Sequence, residues 1–283
     1  MSDLHVLMTG LGLGESPRWH DGRLWCSDWV AQEVIAVDPA GKSEVVTRVP
    51  SFPFCIDWMP DGRLLIVSGG DGRLLGREPD GSLLTHTDLS LLSRHPWNEI
   101  VVDGRGNIYL NNIGFGFPAE AFAPGIIALV TRDGSVQRVA DGVAFPNGMA
   151  VTPDGGTLIV AESYANRLTA FDIATDGSLS NRRVWAEVGN DHPDGICLDA
   201  ECAVWYADVG TKRCVRVREG GEVLQSIELD RGCFACVLGG VDRRTLFMVA
   251  AVYDPASMFS GERTGQILTA EAPAPGAGRP SQS

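Results

Sequence analysis

The sequence predicts an all-β protein built as a six-bladed β-propeller. One observation is a recurring turn, complete in Pro153-Asp154-Gly155 and Pro60-Asp61-Gly62 and looser in Asp21-Gly22 and Asp103-Gly104. Aspartates of six such turns, two of them degenerate, lie 40 to 51 residues apart, at positions 21, 61, 103, 154, 199 and 242. Self-similarity at this period is typical of propeller blades. The second observation is that short alternating apolar segments separate these turns, as antiparallel strands would.

The strand-like segments can be assigned blade by blade in chain order. They cover residues 22–28 and 33–38, 63–68 and 72–77, 107–112 and 126–130, 157–162 and 167–172, 204–208 and 214–217, and 245–249 and 265–270. An insertion at 113–125, rich in Phe, Gly and Pro, is expected to form a loop over one end of the barrel. The last blade is short of strands, so we expect residues 4–9 to complete it and close the ring.

The predicted propeller occupies residues 1–271 as one domain, because no single blade could bury both of its faces. Residues 272–283 are of low complexity, with Pro, Ala, Gly and Ser predominating, and are expected to form a disordered tail.

The amino-acid composition indicates which binding partners and which cellular compartment are expected for the protein. The net charge of −13 at pH 7 argues against nucleic acid and anionic membranes as partners. No apolar run approaches the roughly 20 residues of a membrane span, and residues 1–5 lack the features of a signal peptide. The odd number of cysteines, seven, favours reduced thiols and hence the cytoplasm. A monomer or weak homo-oligomer is expected.

Overlaying the repeats predicts a polar site in the central channel. The positions five to seven residues before each turn aspartate should start the innermost strands and converge at one mouth of the channel. They are Glu15, Cys55, Asn98, Asn147, Asp194 and Cys236. Four of these six carry oxygen donors, and two neighbouring carboxylates would repel each other unless a cation neutralised them. The set suits Ca²⁺, Mg²⁺ or Mn²⁺, with Zn²⁺ possible, although a purely structural polar cluster remains the alternative.

Four segments resemble the signatures of a known family. They are Gly14-Glu15-Ser16-Pro17-Arg18-Trp19, Asn98-Glu99-Ile100-Val101-Val102-Asp103, Phe145-Pro146-Asn147-Gly148-Met149-Ala150 and Pro193-Asp194-Gly195-Ile196. In this order and in these blades they are similar to the motifs of the gluconolactonase/regucalcin family, also called SMP-30. Members of that family are six-bladed propellers that hold one divalent metal in the channel.

The resemblance implies roles for individual residues. It implies that Glu15, Asn147 and Asp194 bind the metal, with Ca²⁺ as the first choice, and that Asn98 contacts the substrate or completes the coordination. Asp194 would also act as the general base or as a proton shuttle. The implied reaction is metal-assisted hydrolysis of a lactone or related ester by an activated water.

The chain also departs from the family pattern. Glu99 stands where sugar lactonases usually carry Asp, and Pro96 stands where they carry an Arg that grips sugar hydroxyls. Aromatic residues are expected in the loops facing the mouth. With Asn98 and Glu99, the substrate-binding candidates are Trp19, Phe54 and Phe115. Together these features suggest a substrate less polar than gluconolactone.

Other functions remain open on the sequence alone. The same channel could host a condensation, dehydration or isomerisation, or the propeller could bind calcium or a partner protein without catalysis. A serine hydrolase is disfavoured because Ser16 lacks the G-x-S-x-G elbow. Cys233 and Cys236 form a C-x-x-C pair, which we interpret as core or channel lining rather than a redox or zinc site.

Overall fold

Six four-stranded antiparallel sheets make up the fold of this computed structural model, which describes residues 4–254 and 262–278. The prediction of an all-β six-bladed propeller is confirmed. In the described residues the one helical segment is a single 3₁₀ turn, Ser163–Ala165. No helix within these two ranges is long and apolar enough to cross a membrane.

Each of the first five blades is formed by four strands consecutive in the chain. Strand β1 (His5–Leu11) comes first in the chain, and the first blade contains β2 (Gly14–His20), β3 (Arg23–Asp28), β4 (Glu33–Val37) and β5 (Ser43–Arg48). The second contains β6 (Phe54–Trp58), β7 (Leu64–Ser68), β8 (Arg73–Arg77) and β9 (Leu83–Asp88). The third contains β10 (Trp97–Val102), β11 (Ile108–Asn112), β12 (Gly125–Val130) and β13 (Val136–Val143). The fourth contains β14 (Pro146–Val151), β15 (Thr157–Glu162), β16 (Arg167–Ile173) and β17 (Leu179–Glu187). The fifth contains β18 (Pro193–Leu198), β19 (Val204–Asp208), β20 (Arg213–Val217) and β21 (Val223–Glu228).

The sixth blade combines both ends of the chain. Its strands are β22 (Gly232–Gly239), β23 (Thr245–Ala251), β24 (Gly265–Glu271) and β1 (His5–Leu11). Strand β1 pairs with β24 in antiparallel register, so the N-terminal segment supplies the outermost strand and closes the ring.

The hydrophobic core lies between the blades. The inner strands β2, β6, β10, β14, β18 and β22 contact one another around the axis. Six clusters of buried side chains fill the spaces between neighbouring blades, one for each pair. Four of the seven free cysteines, Cys197, Cys214, Cys233 and Cys236, belong to the cluster between the fifth and sixth blades. The Sγ atoms of Cys197 and Cys236 are 4.0 Å apart.

The repeated turns join each inner strand to the second strand of its blade. They lie at the end of the channel opposite the first residue of the inner strand. In the fourth blade Gly155 has a φ of 68°, a conformation that favours glycine. Asp154 Oδ1 accepts a hydrogen bond from the Gly156 amide at 3.0 Å. These turns, by which the repeat was recognised, therefore mark the end of each inner strand and so fix its direction along the channel. Each inner strand begins at one mouth of the channel and ends at the other.

The expectation of a disordered tail from residue 272 is wrong for residues 272–278. Ala272 and Ala274 are buried, and the Ala272 amide donates to the Arg244 carbonyl at 2.7 Å. Gly276 forms a bridge with Asp199, and Ala277 donates to the Leu198 carbonyl at 3.0 Å. Because its residues are small, this segment can pack closely against the turns of the fifth and sixth blades. The low complexity of its sequence did not indicate these contacts. Residues 279–283 lie outside the described residues.

Candidate metal centre and active site

Four oxygen-bearing side chains occupy the same position in four inner strands. Glu15, Asn98, Asn147 and Asp194 are each the second residue of their strand. The pairing with the next strand shifts register directly after Glu15 in the first blade, and across this position in the other three blades. Strand β6, which carries Cys55, pairs with β7 without such a shift. Bulges of this kind reorient side chains and are frequent beside functional sites.

The two amide side chains are held close to each other. Asn98 Nδ2 lies 3.4 Å from both Asn147 Oδ1 and the Pro146 carbonyl oxygen. A third amide, Asn111, supports them from the adjacent strand. Its Nδ2 donates to the Asn147 carbonyl at 2.6 Å, while its Oδ1 accepts from the Glu99 amide at 3.2 Å. Asn111 therefore fixes the backbone of both strands that present the amides. The overlay of repeats missed it, because it lies on a second strand.

The two carboxylates are in an environment that disfavours their charges. Burial, together with the nearby charge of Glu99, raises the pKa of Glu15 to about 8. Burial and the charges of Glu15 and Glu99 raise the pKa of Asp194 well above its usual value. Asp194 Oδ1 is shielded from solvent and has no hydrogen-bond partner. Burying a carboxylate oxygen without a hydrogen-bond donor costs free energy, and a bound cation would offset that cost.

The donor set fits a hard divalent cation. It offers two carboxylates and two side-chain amides, the oxygen ligands that Ca²⁺ and Mg²⁺ prefer. Across residues 4–254 and 262–278, no three His, Cys, Asp or Glu side chains form a group that could hold a metal ion. A cation at this mouth would therefore need the amide oxygens of the Asn residues as well as the two carboxylates.

Deeper in the channel, Glu99 is engaged by a buried arginine. Arg18 Nη2 lies 3.2 Å from Glu99 Oε1, and Arg18 Nε lies 3.8 Å from Asp57 Oδ1. Glu99 Oε1 also accepts from the Ile100 amide at 2.8 Å. Burial raises the pKa of Asp57 to about 6, while the charge of Arg18 opposes that rise. Sequence analysis missed Arg18, because three residues along a regular strand would place it on the face opposite Glu15, and the register shift between the two could not be predicted.

Ser16 is part of the scaffold. It has a φ of 50°, and its buried hydroxyl accepts from the Ile56 amide at 3.0 Å. Its own amide lies 3.3 Å from Glu15 Oε2. The left-handed backbone at Ser16 accompanies the bulge in β2 and so contributes to the orientation of Glu15.

The three aromatic substrate-binding candidates are not brought together. Trp19 lies near the end of β2, roughly 13 Å from the mouth at strand rise, and stacks on Phe247 with ring centroids 5.3 Å apart. Phe54 is completely buried in the cluster between the first and second blades. These positions give neither ring access to a ligand at the mouth. Phe115 lies in the insertion on the mouth side but is only 4% exposed.

The chain is similar to known proteins over most of its length. Residues 13–252 match the family model described as SMP-30/Gluconolactonase/LRE-like region. Regucalcin of Xenopus laevis is 27% identical over 255 residues, covering 84% of this chain and 83% of that protein. Pentonolactonase XacC of Haloferax volcanii is 26% identical over 253 residues, covering 80% of this chain and 84% of that protein.

The fold has close matches among solved structures. The crystal structure of a calcium-binding protein, regucalcin, from Agrobacterium tumefaciens aligns with a TM-score of 0.82 at 22% identity, covering 99% of this chain and 97% of that one. The family resemblance of the four sequence motifs is confirmed. The chain belongs to the SMP-30/gluconolactonase family of six-bladed propellers.

Proposed function

We propose that this protein is a divalent-cation-dependent lactonase that opens a lactone, or a related ester, at the mouth lined by Glu15, Asn98, Asn147 and Asp194. The observation that carries the proposal is Asp194 Oδ1, a buried acceptor without a donor in a group of oxygen side chains. Membership of a family whose relatives include a pentonolactonase supports the choice of substrate class.

Glu15, Asn147 and Asp194 would hold the cation, with Ca²⁺ as the first choice and Mg²⁺, Mn²⁺ or Zn²⁺ as alternatives. A cation bound by these oxygens would polarise the lactone carbonyl and lower the pKa of a nearby water. Asn98, whose Nδ2 lies 3.4 Å from Asn147 Oδ1, would contact the substrate or complete the coordination. Asn111 and Ser16 would keep the strands that carry these ligands in place.

Asp194 is the proposed general base. In its ionised form the buried carboxylate would take a proton from the attacking water as the new C–O bond forms. It would return that proton to the alkoxide as the ring C–O bond breaks, leaving a hydroxy acid.

Glu99 is proposed as a residue that shapes the channel, because its carboxylate is bonded to Arg18 and to the Ile100 amide. The negative charges are then offset separately in two places. Arg18 lies between Glu99 and Asp57 inside the channel and offsets one of their two negative charges, and a divalent cation would compensate Glu15 and Asp194 at the mouth. This division explains why the chain can place four carboxylates around one axis.

Two other functions use the same geometry. A non-hydrolytic reaction would keep the cation and Asp194 but release no acid from lactones. A calcium-binding or partner-binding propeller would bind the cation and show no turnover.

The test is acid release over a panel of γ- and δ-lactones by chelated protein with each cation restored in turn. The proposal expects acid release only after a cation is restored. Equal rates before and after restoration would contradict it, and stoichiometric cation binding with no acid release would favour the alternatives.

A further inference from the structure

Exposed aromatic side chains are concentrated at the end of the propeller that carries the proposed metal centre. In the described part of the chain, the aromatic residues classed as exposed are Phe52, Phe117, Phe122, Tyr164 and Tyr253, with 40% to 52% of their surface accessible. All five lie in loops that precede an inner strand or follow a second strand, and therefore on the mouth side. Solvated aromatic surface gathered on one face marks a site that binds apolar groups.

Five rings from the third and fourth blades form one contiguous surface, which we call the aromatic rim: Phe115, Phe117, Phe122, Phe145 and Tyr164. Phe115 is buried beneath the others, with its ring centroid 5.8 to 6.2 Å from those of the other four. Phe145 and Tyr164 stack with centroids 4.6 Å apart. The buried Phe115 thus supports a preformed platform, so binding would require little ordering of side chains.

The aromatic rim is connected directly to the oxygen donors. Phe145 is two residues before Asn147 in the chain. The turn that carries Tyr164 is tied to the fifth blade, because Ser163 Oγ donates to the Pro193 carbonyl at 2.7 Å and Pro193 precedes Asp194. On the other side of the fifth blade, Tyr253 follows the second strand of the sixth blade, and its ring packs edge-on against Phe234 with centroids 5.9 Å apart. A ligand at Asp194 would therefore lie beside aromatic surface on two sides.

Charged groups that could bind the hydroxyls of a sugar are less available. Glu99 Oε1 is occupied by Arg18 and the Ile100 amide. The position two residues before Asn98 is Pro96, which has no side-chain donor or acceptor. His192 is exposed, but its Nδ1 lies 2.8 Å from the Ser163 carbonyl oxygen. Among the described residues, the aromatic rim therefore presents uncharged rings beside the oxygen donors.

We propose that the aromatic rim is a binding site for an apolar substituent, an alkyl or aryl group carried on the lactone ring. The physiological substrate class is then a substituted hydrophobic lactone rather than a polyhydroxylated sugar lactone. This inference rests on the proposed lactonase function and specifies its substrate. The ring would sit at the oxygen donors, and its substituent would lie across Phe122 and Tyr164.

The experiment compares kcat/KM for a homologous series, γ-butyrolactone, γ-hexalactone, γ-octalactone and γ-decalactone, with that for δ-gluconolactone. It uses the full chain with the most activating cation restored. Each methylene that contacts the rim should raise kcat/KM about twofold to fourfold. The variants Phe122→Ser and Tyr164→Ser should flatten this dependence on chain length. Val241→Ser, an exposed apolar residue at the opposite end, is the matched control and should keep the full dependence.

The outcomes separate the two proposals. A chain-length dependence that falls in the rim variants and persists in the control supports the rim as the substituent site. Hydrolysis that is independent of chain length, or faster with δ-gluconolactone than with every alkyl lactone, overturns the rim proposal and leaves the lactonase function standing. No hydrolysis of any member with every cation overturns both. A dependence that the rim variants leave unchanged also overturns the proposed role of the rim.

Discussion

Replacing Asp194 by Asn separates the two roles proposed for this residue. The substitution keeps the size of the side chain and an oxygen that can face a cation, but it removes the negative charge and the ability to accept a proton. Asp194 Oδ1 has no hydrogen-bond partner to lose, so the change should not disturb neighbouring strands. We therefore expect the fold to be retained and cation affinity to fall by no more than roughly tenfold.

The magnitude of the kinetic effect follows from the loss of the base. Positioned general bases contribute roughly 10²- to 10⁴-fold to rate. Loss of that contribution raises the barrier by about 3 to 5 kcal/mol. The decrease should appear in kcat for the best lactone at saturating cation, because binding of the cation is preserved. The assay is acid release at constant pH, with cation affinity measured separately by calorimetry.

A matched control is the turn aspartate at the opposite end of the propeller. Asp242 Oδ1 accepts from the Arg244 amide at 3.0 Å, and Asp242→Asn should leave kcat unchanged within about twofold. The reasoning would be refuted by an Asp194→Asn enzyme with wild-type kcat. An Asp194→Asn protein that binds the cation normally and has lost turnover would support it.

Three further predictions concern the metal centre and the chain end. Asn147→Ala should weaken cation binding roughly tenfold to hundredfold, so excess cation should restore much of the activity; wild-type affinity would exclude Asn147 as a ligand. Burial and the charge of Glu99 raise the pKa of Glu15 to about 8 from 4.5, so its contribution to stability is present below about pH 4.5 and is lost as the pH rises towards 8. The melting temperature of metal-free protein should therefore fall between pH 5 and pH 8 by more than that of Glu15→Gln, and parallel pH profiles would contradict this. Ending the chain at Glu271 should lower the free energy of unfolding by about 2 to 4 kcal/mol, because it removes backbone hydrogen bonds to the fifth and sixth blades; an unchanged urea midpoint would show that the segment adds no stability.

The fold could be predicted because its signal is repeated along the chain. The aspartate turns fix where each inner strand ends, and antiparallel pairing then places the start of every inner strand at the same mouth. For this reason Glu15, Asn98, Asn147 and Asp194 could be grouped from spacing alone. The bulge at or directly after each of them could not be predicted, because it depends on the pairing of neighbouring strands.

The aromatic positions were harder to predict because proximity in sequence is not proximity in the channel. Trp19 is four residues from Glu15, but an extended strand carries it most of the way to the opposite mouth. Phe54 starts an inner strand, but its side chain points between blades and is fully buried. Successive residues of a strand face opposite sides, so one position separates a residue that faces the channel from one in the core.

The polar network was incompletely predicted for a related reason. Arg18 and Asn111 act through partners far away in the sequence, Glu99 and Asn147. Sequence spacing within one repeat cannot reveal contacts that join different blades. The packing of residues 272–278 could not be predicted either. The hydrogen bonds that stabilise this segment are made by backbone groups, which carry no sequence signature.

The most direct test of the central claim is a crystal structure of chelated protein to which Mn²⁺ has been restored, with an anomalous difference map to locate the ion. The account predicts one strong peak at the channel mouth, within about 2.6 Å of side-chain oxygens of Glu15, Asn147 and Asp194. A peak elsewhere, or a map without a peak at saturating Mn²⁺, would contradict it.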